Sequence, residues 1–80
     1  MDYFTYVIRS TVNKKFYSGH TENLARRIKL HNSGKTRSIK AFIPYELVYY
    51  EVFKTRKAAI VRERYFKTAA GRRYIRKKIE

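Results

Sequence analysis

The sequence contains no cysteine, which removes disulfide frameworks and thiolate metal sites and suits a reducing compartment. It has no apolar run near the ~20 residues a membrane helix needs. Met1-Asp2-Tyr3 is not a basic segment leading into an apolar one, so no signal peptide is read there. A cytoplasmic protein is the expectation. Acidic residues are the other scarcity. Six Asp and Glu face twenty Lys and Arg, a net charge of +14 on 80 residues. Such a charge repels itself unless an anionic partner screens it. Nucleic acid is the expected partner; an acidic protein or a membrane surface ranks below it. The membrane surface is disfavoured because no strongly amphipathic basic helix is evident. Eight Tyr and five Phe exclude a disordered basic tail, which lacks core-forming residues. The chain reads as one domain, 1–80, without repeat, linker or low-complexity segment. A domain this small buries only about 60% of its unfolded surface, so its core is thin. The oligomeric state is left open.

Taken in order, Tyr3 to Arg9 alternates as a strand, with apolar residues on both faces. Ser10 to Lys15, carrying Asn13, reads as a turn, and Lys15 to Gly19 as the second strand of a hairpin. An even loop without a bulge puts Tyr6 and Tyr17 on the same face. Thr21 is the expected N-cap of a helix whose stripe is Leu24, Ile28 and His31, with Arg27 on its flank. Gly34 is its expected left-handed stop. A basic loop, Lys35 to Ile43, leads to Pro44 and a third strand, Tyr45 to Phe53. Thr55 caps a second helix, Arg56 to about Thr68, with Ala59, Glu63, Phe66 and Ala70 on one face. Gly71 is expected to break the chain before a short basic helix or tail, Arg72 to Lys78. The order β-β-α-β-α-α implies an α+β fold with a small three-stranded antiparallel sheet flanked by helices.

Glu63 interrupts an apolar stripe, and a carboxylate facing a core is costly unless paired or bound to metal. It is either the partner of a basic residue or a ligand of Mg²⁺, which often takes only one or two carboxylates. Arg27 is either that partner or a fork for phosphate. His31 either caps a helix end or accepts a proton. Two tyrosines beside Gly19 are either core aromatics or presented hydroxyls, because glycine permits close approach.

Phe4-Thr5-Tyr6, followed by Tyr17-Ser18-Gly19 and Asn23-Leu24-Ala25-Arg26-Arg27, resembles the paired motifs of the GIY-YIG nuclease superfamily. Ala59-Ile60-Val61-Arg62-Glu63 and Phe66-Lys67 resemble its later glutamate helix. The resemblance spans nearly the whole chain. It is closest to the small stand-alone members related to the amino-terminal nuclease domain of the excision-repair subunit UvrC. The first motif lacks its Gly and Ile, Ser18 replaces the central Ile, and no Asn follows Asn32, where many members place one after the glutamate helix.

The resemblance implies a GIY-YIG-like fold and an endonuclease that hydrolyses phosphodiester bonds in DNA, structure-dependent or weakly sequence-specific, in repair or processing. Carried over by position, Tyr6, Tyr17, Arg27, His31 and Glu63 are the catalytic set. Tyr6 helps to deprotonate water, assisted by Tyr17 or His31. Arg27 stabilises charge on the phosphate, and Glu63 holds one Mg²⁺, with Mn²⁺ as a substitute. The nearby positive charges are expected to lower the tyrosine pKa or carry the proton onward. The five side chains are expected to line one concave surface, with Glu63 and Arg27 on the same side of the sheet. Arg26, Lys35, Arg37, Lys40 and Lys67 are the candidate nucleic-acid contacts. The alternative is a non-catalytic nucleic-acid-binding module on the same fold.

Overall fold

The computed structural model describes residues 1–35 and 40–79. Strands β1 (Tyr3–Ser10) and β2 (Phe16–Thr21) form the expected hairpin, in the register Tyr6↔Gly19 and Ile8↔Tyr17. The turn is closed by Ser10 N–H to the Lys15 carbonyl (3.0 Å), and the Asn13 side chain accepts from Lys15 N–H (3.0 Å). Lys14 takes a left-handed conformation, φ 64°, at the tip. No irregularity interrupts this pairing, so Tyr6, Ile8 and Tyr17 project from one face, as parity requires.

Strand β3 (Tyr45–Phe53) pairs with the other side of β1, giving the antiparallel order β2-β1-β3. A bulge lies in that second pairing, since Val7 faces Tyr49 while Ile8 faces Leu47. Central β1 is buried on both faces. Tyr6 and Ile8 pack with Tyr45 and with Leu24 and Ile28 of helix α1 (Leu24–Asn32). Val7 packs with Phe66 and Ile75, which belong to α2 (Arg56–Phe66) and α3 (Ala69–Ile79). Alternate residues of one strand therefore meet different helices, with α1 on one face of the sheet and α2 and α3 on the other. A 3₁₀ turn, Lys40–Phe42, precedes β3.

Three local expectations are corrected. The N-cap of α1 is Asn23, whose side chain accepts from Arg26 N–H (3.1 Å). Thr21 is held in β2 opposite Phe4, and its hydroxyl accepts from Asn23 N–H instead (3.2 Å). Helix α2 ends at Phe66 rather than near Thr68, because Thr68 starts α3: its hydroxyl accepts from Gly71 N–H (3.0 Å) and its carbonyl from Arg72 N–H (2.9 Å). Gly71 is consequently helical and buried, not a break, and Ala70 is an exposed residue of α3. A methyl on Gly71 would lie 2.7 Å from Phe66 Cα, so glycine allows α3 to leave α2 at this close corner. Thr55 caps α2 as expected, accepting from Ala58 N–H (3.2 Å).

Arg62 fastens this helical layer to β3. It donates twice to Glu51, from Nε (2.8 Å) and Nη2 (3.2 Å). Its guanidinium also lies 4.9 Å from the ring centres of Tyr65, Phe66 and Tyr74. Burial raises the Glu51 pKa, but the hydrogen bonds from Arg62 and Tyr49 outweigh it and hold the carboxyl below its usual value.

Candidate functional site

The site forms where Tyr6 crosses Gly19. The two residues face one another across β1 and β2, and a Gly19 side chain would collide with the Tyr6 ring, its Cβ falling 2.7 Å from Tyr6 Cζ. The buried phenol can therefore lie along the sheet toward the β2 edge. Its hydroxyl is 2.7 Å from His31 Nε2, and Arg27 Nε donates to it over a longer 3.4 Å. Arg27 and His31 are one turn apart on α1, so the helix presents both to the same oxygen.

Burial raises the Tyr6 pKa, with the hydrogen bond from Arg27 opposing it and the Glu63 charge adding to it. The expectation that surrounding cations lower this phenol is corrected: desolvation wins, and Tyr6 is neutral near pH 7. His31 is shifted downward, first by burial and then by the positive charge of Arg27, so its ring is neutral as well. Its Nδ1 is buried without a hydrogen-bond partner among the described residues.

Tyr17 shares the face of Tyr6 but turns to Tyr45, meeting it edge-on at 5.3 Å between ring centres. Burial, followed by the neighbouring Tyr17 phenol, pushes Tyr45 up to about 12.

Glu63 arrives from the other layer. The expectation that it lies on the same side of the sheet as Arg27 is corrected, since α2 and α1 cover opposite faces. Glu63 is joined instead to the edge strand. His20 Nδ1 donates to Glu63 Oε1 (2.5 Å), and Lys67 Nζ donates to Oε2 (2.7 Å). Parity explains this partnership: His20 pairs with Thr5, on the same face as Val7 and α2. Burial raises the Glu63 pKa, but the hydrogen bonds from Lys67 and His20 prevail and the carboxyl is held below its usual value. Its charge still reaches Tyr6 around the β2 edge, as does that of Lys67. The five predicted side chains thus belong to two clusters in electrostatic contact, not to one concave wall.

His20 was not among the predicted site residues. The only local signal was its position next to Gly19; that its strand face meets the helix carrying Glu63 is a tertiary fact.

Two grooves flank the β2 edge. One, of about 460 Å³, includes His20, Arg26, Arg27 and Arg56 in its lining. The other, about 780 Å³, includes Lys14, Lys15, Lys67, Arg72 and Arg76. Neither is lined by Tyr6, His31 or Glu63; Arg27 lines the smaller groove, and Tyr17 and Lys67 line the larger one. Of the predicted nucleic-acid contacts, Lys35 and Lys40 are exposed outside both grooves. Arg37 lies outside the described residues.

Among the described residues no group of three or more His, Cys, Asp or Glu side chains is placed to hold a metal ion. Glu63 offers a single ionised carboxylate, each oxygen of which accepts one hydrogen bond and keeps a further lone pair. That donor set fits a hard cation completed by water and phosphate oxygens, and not a structural zinc.

Residues 2–77 match the model of the GIY-YIG catalytic domain. The chain belongs to the GIY-YIG family. Relatives include UPF0213 protein YazA of Bacillus subtilis, 39% identical over 67 residues, covering 82% of this chain and 67% of the relative. A UPF0213 protein of Bacillus licheniformis is 36% identical over 80 residues, covering 95% and 81%. The solution NMR structure of the UPF0213 protein BH0048 from Bacillus halodurans is similar with a TM-score of 0.57 and 26% identity. It covers 94% of this chain and 82% of that one. The GIY-YIG fold read from the motifs is therefore the fold adopted: a small antiparallel sheet between helical layers. Membership places the chain in a nuclease family and implies nucleic acid as its partner. Among the described residues no helix is long and apolar enough to cross a membrane.

Proposed function

We propose that this GIY-YIG domain is an endonuclease that hydrolyses phosphodiester bonds in DNA with one Mg²⁺, structure-dependent or weakly sequence-specific, in repair or processing. The observation that carries the reading is the Tyr6 hydroxyl, placed between a neutral His31 imidazole and the Arg27 guanidinium. A hydrolase needs an acceptor for the proton of the attacking water. A phenol with a raised pKa is a poor one alone, but it works as a relay. As water attacks phosphorus, its proton passes to Tyr6 Oη while the phenol proton passes to His31 Nε2. The phosphorus–oxygen bond to the leaving group breaks, and His31 carries the proton as imidazolium. General acid–base assistance of this kind contributes about 10²–10⁴-fold.

Arg27, beside the same oxygen, would supply fixed positive charge to a phosphate bound across the β2 edge, between its cluster and that of Glu63. Glu63 would hold the Mg²⁺, which when bound supplies Lewis-acid stabilisation of charge on the leaving oxygen. His20 and Lys67 orient that carboxylate, and Lys67 adds a positive charge beside it. Tyr17 supports the site from its contact with Tyr45.

One observation favours the second reading, a binding module without catalysis. Glu63 already has two basic partners, which a structural role explains without any metal. The two readings separate in a cleavage assay on linear and branched DNA and RNA, with Mg²⁺ and with EDTA. Metal-dependent cleavage that disappears in Tyr6→Phe supports the nuclease. Binding without cleavage on every substrate leaves the binding module. Either reading requires log K to fall steeply with log salt, by about 0.9 per neutralised phosphate on duplex DNA.

A further inference from the structure

The larger groove has a composition that phosphate binding alone does not require. Its walls are basic. Lys14 and Lys15 come from the hairpin tip, and Arg72 and Arg76, one helical turn apart on α3, stand exposed. None of these four has an acidic partner among the described residues. Its remaining lining is Lys67, Ser18 and the half-buried rings of Phe16 and Tyr17, set over the buried core residues Val7, Phe66 and Ile75. At about 780 Å³ it falls within the ~300–1,000 Å³ of clefts that hold small organic groups, so a nucleotide fits.

A stacked duplex presents phosphates outward and keeps its bases inside, so it would use the basic walls and leave the Phe16 and Tyr17 rings uncovered. A single strand uses both, because its bases are free to lie on apolar and aromatic side chains while its phosphates meet cations. Half-buried Phe16 provides such a surface between the walls. Lys67 lines the groove and also donates to Glu63 Oε2, joining the groove to the candidate site.

We propose that this groove is the approach for a single-stranded segment of nucleic acid, with phosphates between Lys14 and Lys15 on one side and Arg72 and Arg76 on the other, and an unstacked base over Phe16. The proposal rests on the nucleic-acid reading above and sharpens its substrate class to strands with unpaired nucleotides beside the scissile bond: flaps, overhangs or single strands.

The test is binding without divalent metal, so that cleavage plays no part. Fluorescence anisotropy is measured on a labelled oligo-dT and on a blunt duplex of the same length, over a range of salt. Wild type is compared with R72E/R76E and with K29E/K57E, a control with the same charge change at exposed positions outside the groove. The expected result is tighter binding of the single strand by wild type. R72E/R76E should lose at least roughly tenfold, with a salt slope shallower by about 1.4, the value for two single-strand phosphates. The control should lose clearly less. A milder Phe16→Leu variant, chosen because Phe16 also packs on the core, should weaken the single strand and spare the duplex. Equal losses in the two double variants, or tighter binding of the duplex by wild type, overturn the proposal whatever the cleavage assay shows. An intact single-strand preference in a chain that never cleaves rejects the nuclease reading and supports the groove.

Discussion

Tyr6 and Gly19 are complementary: the phenol occupies the space that any side chain at position 19 would need. Gly19→Ala should therefore act on Tyr6 before it acts on the fold. Overpacking of this kind costs about 1–3 kcal/mol. Displacing the hydroxyl from His31 and Arg27 should cost more, because misplacing a reacting group by ~1 Å can lower a rate 10²-fold. Thermal melting and cleavage measured on the same preparation check this. A variant that melts earlier but cleaves as wild type would separate Tyr6 from the chemistry.

Glu63→Gln keeps the shape and removes the charge. Cleavage in Mg²⁺ should fall by at least about 100-fold, on the scale of several kcal/mol of lost charge stabilisation. Binding without metal should persist or tighten, since a negative charge near phosphate is gone. If Glu63 only ties α2 to His20, the variant should melt earlier and bind less in proportion. Cleavage equal to wild type would exclude Glu63 as the metal ligand.

His31 supplies a pH signature. Its folded pKa lies below the usual 6.5, because burial first and Arg27 second disfavour the cation. Between the folded and unfolded values the unfolded chain binds the proton and the native chain does not. Stability therefore rises with pH through that window and is lost on acidification below about 6.5. The acceptor at Nε2 is lost over the same range, so the cleavage rate should rise with pH to a plateau whose inflection lies below 6.5. His31→Gln should remove that inflection and lose less stability than wild type between neutral and acid pH. Melts and rates over a pH series read both effects.

Gly71→Ala should destabilise the domain by about 1–3 kcal/mol, a large effect for a change that usually favours a helix. The reason is the corner between α2 and α3, where the added methyl meets the backbone of Tyr65 and Phe66. Denaturant unfolding measures it. A neutral or stabilising result would show that the two helices separate at little cost.

The sequence carried the fold because its signals were local. The period-two pattern of β1, the loop with Asn13 and the apolar stripe of α1 each specify one element, and the same-face placement of Tyr6 and Tyr17 follows from parity alone. Glu63 was harder to place. Helical periodicity shows that it faces inward but not which side of the sheet α2 covers, so its partner His20 was invisible until β2 and α2 were seen together. Thr21 and Asn23 are both competent caps, and the strand pairing of Thr21 decided between them. Gly71 looked like a stop because glycine usually is one; here the closeness of two helices, a tertiary fact, explains it.

The central position of β1 also orders the timescales of the molecule. It is covered on both faces and paired on both sides, whereas β2 is an edge strand, half-buried along its whole length. Amide hydrogens of β1 should exchange only on global unfolding, while those on the free side of β2 exchange through smaller openings. Tyr6 thus stands on the slowest part of the chain, and Gly19 and His20 on a faster one. A bound strand seated along that edge would be seen as slowed exchange in β2, with β1 unchanged.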